Sequence, residues 1–152
     1  MTRVQRLERD QVVRRPLREV FEFFSRAENL ERITPPWLRF RLRTPPGVDV
    51  RAGINIEYRL RLHGIPLGWT SRIEVWERDV RFVDLQIRGP YRLWRHEHRF
   101  TAVDDGASTR VQDRVDYLLP FGQVGNLALP LVRRDLCRIF EYRQASVARL
   151  LG

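Results

Sequence analysis

Lysine is absent from this sequence. All 28 of its lysine-plus-arginine positions are arginine, set against 19 acidic residues, for a formal charge of +9. A missing basic residue type suggests a codon bias toward arginine, so the charge alone names no partner. Runs of five like charges are also missing, because acids are scattered among the arginines, as in ERD, RIEVWERD and RHEHR. A basic domain without a recognition motif is weak evidence for nucleic acid, and none is expected as a partner. A basic surface that binds an anionic membrane or nucleic acid is only the third reading of the function. The single cysteine, Cys137, excludes an internal disulfide. Arg133, Arg134 and Arg138 surround it, but no histidine is expected beside it, so it reads as partly buried helix surface. No apolar run approaches the roughly 20 residues of a membrane span. The opening MTRVQRLERD lacks the apolar stretch of a signal peptide. A cytoplasmic protein is expected. Gly-x-Ser-x-Gly is absent. GQVG at 122–125 is only Gly-x-x-Gly, outside any parallel βαβ unit, and reads as a flexible loop at a cavity mouth. No cofactor is expected.

What is present suits a packed interior. The chain has 152 residues, 43% hydrophobic and 11% aromatic, which fits one domain over 1–152 with one core. Val4 to Val13 reads as an edge strand. Pro16 opens a short amphipathic helix over 16–25, with Leu17, Val20, Phe21 and Phe24 at helical spacing. Ala27 to Ile33 predicts a second helix, stopped by Pro35 and Pro36. From Trp37 the period changes to two, with Phe40 and Leu42 between arginines. The turn-rich TPPGVDVRAG follows. Ile54, Ile56, Tyr58, Leu60 and Leu62 then alternate with polar residues, the pattern of a half-buried strand. After the turn at His63 and Gly64, the next inward face reads Ile65, Leu67, Trp69, Ser71, Ile73 and Val75. Further strands cover 81–88, 91–103 and 109–117. A long helix is expected over about 127–151, with Asn126 as N-cap. Its apolar stripe is Leu129, Val132, Leu136, Ile139, Phe140, Val147 and Leu150. Consecutive hairpins closed by a long helix read as α+β, with a curved antiparallel sheet of about seven strands wrapped around that helix.

YRLWRHEHRF, residues 91–100, carries the most chemistry. Residues two apart on a strand share a face. Trp94, His96, His98 and Phe100 therefore point inward, and Glu97 points away from both histidines. Two same-face histidines can ligate zinc, but catalytic zinc needs a third protein ligand, and only Asp84 or Asp113 offers one. The side taken by Asp84 and Gln86 depends on the turn at Gly89-Pro90, which leaves it open. No strong ligand spacing exists, so no metal is expected. Acid-base chemistry needs a group titrating near working pH, which His96 or His98 supplies and Asp113 can orient. Asp113 is an inward carboxylate on an apolar face, so a histidine or an arginine should meet it. Arg59, Arg61, Arg72, Arg110 and Arg114 on the outer face are expected to form ion pairs across strands.

Three segments, FEFFSRAENLERITPPWLRF, FVDLQIRGPYRLWRHEHRF and DRVDYLLPFGQVGNL, together with the element order, resemble the SRPBCC superfamily. These are the START-like and pollen-allergen-like helix-grip domains, and the likeness is to a bacterial branch of small members. The resemblance implies a cavity between sheet and long helix for a small hydrophobic or amphipathic ligand. It also implies that some members are cyclases, aromatases or hydrolases while many only bind or carry. Candidate ligand-binding residues are Tyr58, Leu60, Trp69, Ser71, Asp84, Gln86, Trp94, His96, His98, Asp113 and Tyr117. His96, His98 and Asp113 are the catalytic candidates if the protein is instead a cyclase-, aromatase- or lyase-like enzyme. Binding is the preferred reading. A weak homodimer and a functional link to a dehydrogenase- or epimerase-like protein are the further partner expectations.

Overall fold

Seven strands form one antiparallel sheet in the spatial order β1-β7-β6-β5-β4-β3-β2 in a computed structural model that describes residues 3–45, 47–48 and 50–152. Pro46 and Asp49, within the turn-rich stretch, lie outside the described residues, as do Met1 and Thr2 of the opening segment. In chain order the elements are β1 (Gln5–Val13), α1 (Leu17–Phe24), α2 (Asn29–Ile33), β2 (Arg41–Leu42), β3 (Asn55–Leu62), β4 (Ile65–Glu77), β5 (Arg81–Arg88), β6 (Leu93–Val103), β7 (Ser108–Leu118), α3 (Gly122–Gly125) and α4 (Leu129–Leu151). Hairpins join β3 through β7, and β1 returns to pair with β7. The fold is the α+β helix grip.

The alternating sequence pattern explains most strands. In β7, Val111, Asp113, Val115 and Tyr117 are buried while Arg110 is exposed. The two-residue turn between Leu62 and Ile65 places His63 at φ 49° and Gly64 at φ 80°, the twist that a tight hairpin requires. Two apolar clusters cover the concave face. One centres on Phe21, Phe24, Ile73, Phe82, Phe100 and Val147. The other centres on Leu60, Trp69, Trp94, Tyr117, Leu136 and Phe140. Each large side chain so buried contributes about 1.5–3 kcal/mol.

Five local expectations need correction. Residues 36–38 form a 3-10 turn rather than strand, because Pro35 and Pro36 cannot donate to a ladder and Arg39 takes a left-handed φ of 47°. Only Arg41 and Leu42 remain as β2. A register irregularity between Ile73 and Val75 turns Trp76 inward against Phe21 (ring centroids 5.0 Å) and moves Val75 off that face. Ile65 is exposed because it sits on the hairpin tip. Asn126 does not cap the long helix. Residues 122–128 already form short helical turns, and α4 starts at Leu129 with Pro130 in its first turn. Finally, the outer arginines are paired unevenly. Arg110 binds Asp10, and Arg72 meets Asn55 at 3.2 Å. Arg114 only approaches Asp116, its neighbour on the same strand, at 4.0 Å. Arg59 and Arg61 have no carboxylate partner among the described residues.

Candidate functional site

Strand parity brings His96 and His98 onto the concave face, both buried. Register then supplies their partners. Asp84 of β5 stands opposite His96, and Asp113 of β7 stands opposite His98. The hydrogen bonds run on the diagonals instead. His98 Nε2 is 2.7 Å from Asp84 Oδ2, and His96 Nε2 is 2.7 Å from Asp113 Oδ1. Each histidine thus bonds the carboxylate that faces the other. His98 Nδ1 also faces Asp113 Oδ1 at 3.4 Å. Asp84 therefore takes the inward side that the sequence left open, together with Phe82. Glu97, on the opposite face, bonds Arg81 at 2.8 Å.

Aromatic rings hold the imidazoles in place. Phe82 stacks on His98 at 4.2 Å, and His98 stacks on His96 at 3.7 Å, with Phe140 of α4 at 5.6 Å from His96. Arg143 closes the group from α4. Its Nη2 lies 3.4 Å from His98 Nδ1 and 3.9 Å from Asp113 Oδ1, and its guanidinium packs over Phe24 and Phe140. Arg143 escaped the sequence reading although it occupies the gap between Phe140 and Val147 in the apolar stripe. An arginine seven residues after Leu136 and four before Val147 shares their helix face, and that spacing was the available signal.

The electrostatics separate the two histidines. Burial, reinforced by the neighbouring His98, lowers His96 to about 4, so it is neutral at pH 7. Burial also works to lower His98, but hydrogen bonds to Asp113 and Asp84 outweigh it and raise its pKa. Burial opposes ionisation of Asp113, yet Arg143 and the two imidazoles hold it well below the ordinary carboxylate range. Asp84 is lowered on balance, its bond to His98 overcoming burial. Burial raises the phenols of Tyr58 and Tyr91. Two carboxylates thus face Arg143 and the two imidazoles.

This network forms one wall of a cavity of about 170 Å³ between the sheet and the helices. Of the candidate residues, Tyr58, Leu60, Trp69, Ser71, Asp84, Trp94, His96 and His98 line it. Phe82, Tyr91, Leu136, Phe140 and Arg143 line it as well. Ser71 accepts the Trp69 indole N–H at 3.0 Å, which satisfies that buried donor. Three candidates lie off the wall. Gln86 spans the β5–β6 turn, its amide donating to the Tyr91 carbonyl (2.6 Å) and accepting from the Tyr91 N–H (3.1 Å). Asp113 sits behind the histidines and reaches the cavity only through them. Tyr117 is covered by Tyr91 and Trp94 in the second apolar cluster.

One atom from each of Asp84, His96 and His98 lies within 4.8 Å of the others, a donor set of the zinc type. Both carboxylates are already bonded to imidazoles, and Arg143 supplies a cation beside them. A metal would have to displace the His98–Asp84 hydrogen bond, so the arrangement fits proton sharing better than metal binding.

Residues 13–139 match the family model described as polyketide cyclase / dehydrase and lipid transport. Comparison with curated proteins gives no match. Among solved structures, the Zhui aromatase/cyclase from Streptomyces sp. R1128 aligns with a TM-score of 0.73 at 18% identity, covering 98% of this chain and 94% of that one. Protein Ms6760 from Mycobacterium smegmatis aligns at 0.73 and 14% identity, covering 99% and 96%. A norcoclaurine synthase point mutant from Thalictrum flavum aligns at 0.72 and 10% identity, again covering 99% and 96%. At such identities these likenesses establish the fold. The match of the family model across most of the chain goes further, and the protein belongs to the polyketide cyclase / dehydrase and lipid transport family of the SRPBCC superfamily.

Proposed function

We propose that this protein binds a small, uncharged amphipathic molecule of one or two rings in the cavity between sheet and α4. The observation that carries the reading is a largely apolar, partly open space with one wall of paired carboxylates, imidazoles and Arg143. Size supports a small ligand, since an apolar cavity of about 150 Å³ holds a benzene-sized molecule. Charge supports a neutral one, because Asp84 and Asp113 are already engaged by His98, His96 and Arg143. Apolar walls supply affinity and the few polar groups set orientation. Native mass spectrometry of the purified protein, released stepwise, should reveal a co-purifying molecule of this class. Replacing His96 and His98 with Gln should leave affinity for an apolar one- or two-ring probe within a few-fold. Failure of the wild-type protein to take up any such probe would overturn the reading.

The second reading is an enzyme of the cyclase, aromatase or lyase type, and the Asp84–His98–Asp113–His96 chain favours it. In this reading Asp84, backed by His98, removes a proton from carbon beside a ligand carbonyl. The Arg143 guanidinium offers N–H donors to the oxygen on which charge develops. The proton returns through the same pair when the rearranged ligand is released. Two of the aligned structures are named as enzymes, an aromatase/cyclase and a synthase. Asp84→Asn and His98→Gln should then abolish turnover of a cyclisable substrate while retaining its binding. Turnover that survives both changes would sink this reading.

A further inference from the structure

Acids are scattered along the sequence, but four long segments contain none: 32–48, 58–73, 85–96 and 117–134. The fold brings parts of the last three to one end of the molecule. The β3–β4 hairpin tip is tied to α4 by His63 Nε2 and Asp135 Oδ2 at 2.6 Å. The Arg92 N–H donates to the Leu118 carbonyl at 2.9 Å. Leu62, Leu67, Tyr91, Leu129 and Val132 pack together beneath this end. Arg61, Arg88, Arg92 and Arg134 are exposed here, and among the described residues none has a carboxylate partner. Arg133 meets the neutral Gln5 side chain and has no carboxylate partner among the described residues. Asp135 is already engaged by His63. This end therefore carries five arginines without a carboxylate partner among the described residues, a local share of the +9 charge.

The same end carries the most exposed large apolar side chains of the described residues. Phe121 and Leu127 are each 83% exposed, Val124 73%, and Ile65 and Leu131 about half or more. Val124, Leu127 and Leu131 recur at helical spacing along α3, the following 3-10 turn and the start of α4, so they share one outward face. This presentation is enforced by the backbone. Phe121 holds a φ of 66°, rare for an apolar residue. A Cβ at Gly125 would lie 1.8 Å from the Pro120 carbonyl oxygen, so only glycine allows that close turn. GQVG thus shapes a projecting apolar ridge.

From this juxtaposition we infer that the end formed by the β3–β4 tip, the β5–β6 turn and residues 121–134 docks on an anionic lipid bilayer. Phe121, Val124, Leu127 and Leu131 enter the interface, and Arg61, Arg88, Arg92, Arg133 and Arg134 meet the headgroups. Exposed aliphatic side chains flanked by arginine suit the acyl–headgroup boundary. They suit a nucleic acid poorly, since leucine and valine offer neither hydrogen bonds nor a stacking face. The inference is independent of what fills the cavity.

The test is cosedimentation of the full chain with vesicles of phosphatidylcholine mixed with phosphatidylglycerol, and with phosphatidylcholine alone. Binding is expected to the mixed vesicles, to be at least tenfold weaker on the neutral ones, and to fall with salt. Arg92→Gln, Arg133→Gln and Arg134→Gln combined should weaken it on the order of 100-fold. Val124→Ser with Leu127→Ser should weaken it by about tenfold or more while leaving net charge unchanged. All five side chains are exposed, so circular dichroism and thermal unfolding should match the parent. Absence of binding to mixed vesicles at low salt overturns the inference. So does vesicle binding that is indifferent to the Val124/Leu127 change, or a solution dimer that this change dissolves, which would assign the ridge to a second copy. A duplex DNA fragment bound more tightly than the vesicles would assign the face to nucleic acid and overturn it equally.

Discussion

His96 and His98 lie ring on ring, their centroids 3.7 Å apart and their planes 22° apart. Two imidazoles this close cannot both carry charge without strong repulsion. The fold resolves this by giving them unequal surroundings. His98 lies between Asp84 and Asp113, which raise its pKa, while His96 has one carboxylate bond and stays neutral at pH 7. The pair titrates as a unit, and its two steps are spread apart by the carboxylates.

That asymmetry sets the pH dependence of stability. His96 drops from 6.5 to about 4 on folding, so the unfolded chain binds the extra proton first, and stability falls as pH drops from about 6.5 toward 4. The loss is on the order of 3 kcal/mol when complete. His98 is raised, so its contribution is full below 6.5 and is lost as pH rises through its folded value. Urea unfolding across pH should give a dome. His96→Gln should flatten its acid side and His98→Gln its alkaline side. An unchanged acid side in His96→Gln would contradict the neutral assignment.

Asp113 is the shared anion of the network. Asp113→Asn leaves His98 and Arg143 facing each other without the carboxylate they share. Breaking a buried ion pair by removing one partner costs about 3–5 kcal/mol. The variant should lose stability of that order at pH 7, and the His98 ring signals in an NMR titration should show a lowered pKa. A loss under about 0.5 kcal/mol would mean that the pair is solvated rather than buried.

Leu136 lines the cavity from α4. Leu136→Trp adds bulk to a space of only about 170 Å³ and should reduce uptake of a one- or two-ring probe by tenfold or more. Where the indole fits the space, stability should shift by less than about 3 kcal/mol, the usual cost of overpacking. Undiminished probe uptake, read by displacement of a fluorescent ligand, would place the binding site elsewhere.

His63 and Asp135 tie the β3–β4 tip to the long helix on the surface, with the histidine side chain 60% exposed. Exposed pairs of this kind contribute about 0–1 kcal/mol. His63→Ala should therefore leave thermal unfolding nearly unchanged. A loss above about 2 kcal/mol would show that the tip is part of the cooperative core.

The legible part of the molecule was its local periodicity. Alternation in 54–62 and 109–117 placed Tyr58, Leu60, Asp113 and Tyr117 on the concave side, and strand parity alone separated His96 and His98 from Glu97. Reasoning from burial also held, since the inward Asp113 is met by a histidine and by an arginine. Gln86 went astray for a local reason, because a glutamine three residues before a Gly-Pro turn can brace the turn instead of the cavity. Arg143 was missed because a stripe read only for apolar residues passes over the cation embedded in it.

The sequence by itself determined which side chains share a strand face, which segments carry no acid, and that the chain folds as hairpins closed by one helix. These depend on periods of two and 3.6 and on turn chemistry, all encoded within a few residues. Only the tertiary structure decided that Asp84 faces inward and that each histidine bonds the carboxylate opposite the other. It also decided that Arg143 closes the group, and that parts of three acid-free segments meet at one end beside an apolar ridge. Those outcomes depend on the register between strands and on helix placement, which bulges and non-local packing set and no single stretch of sequence contains.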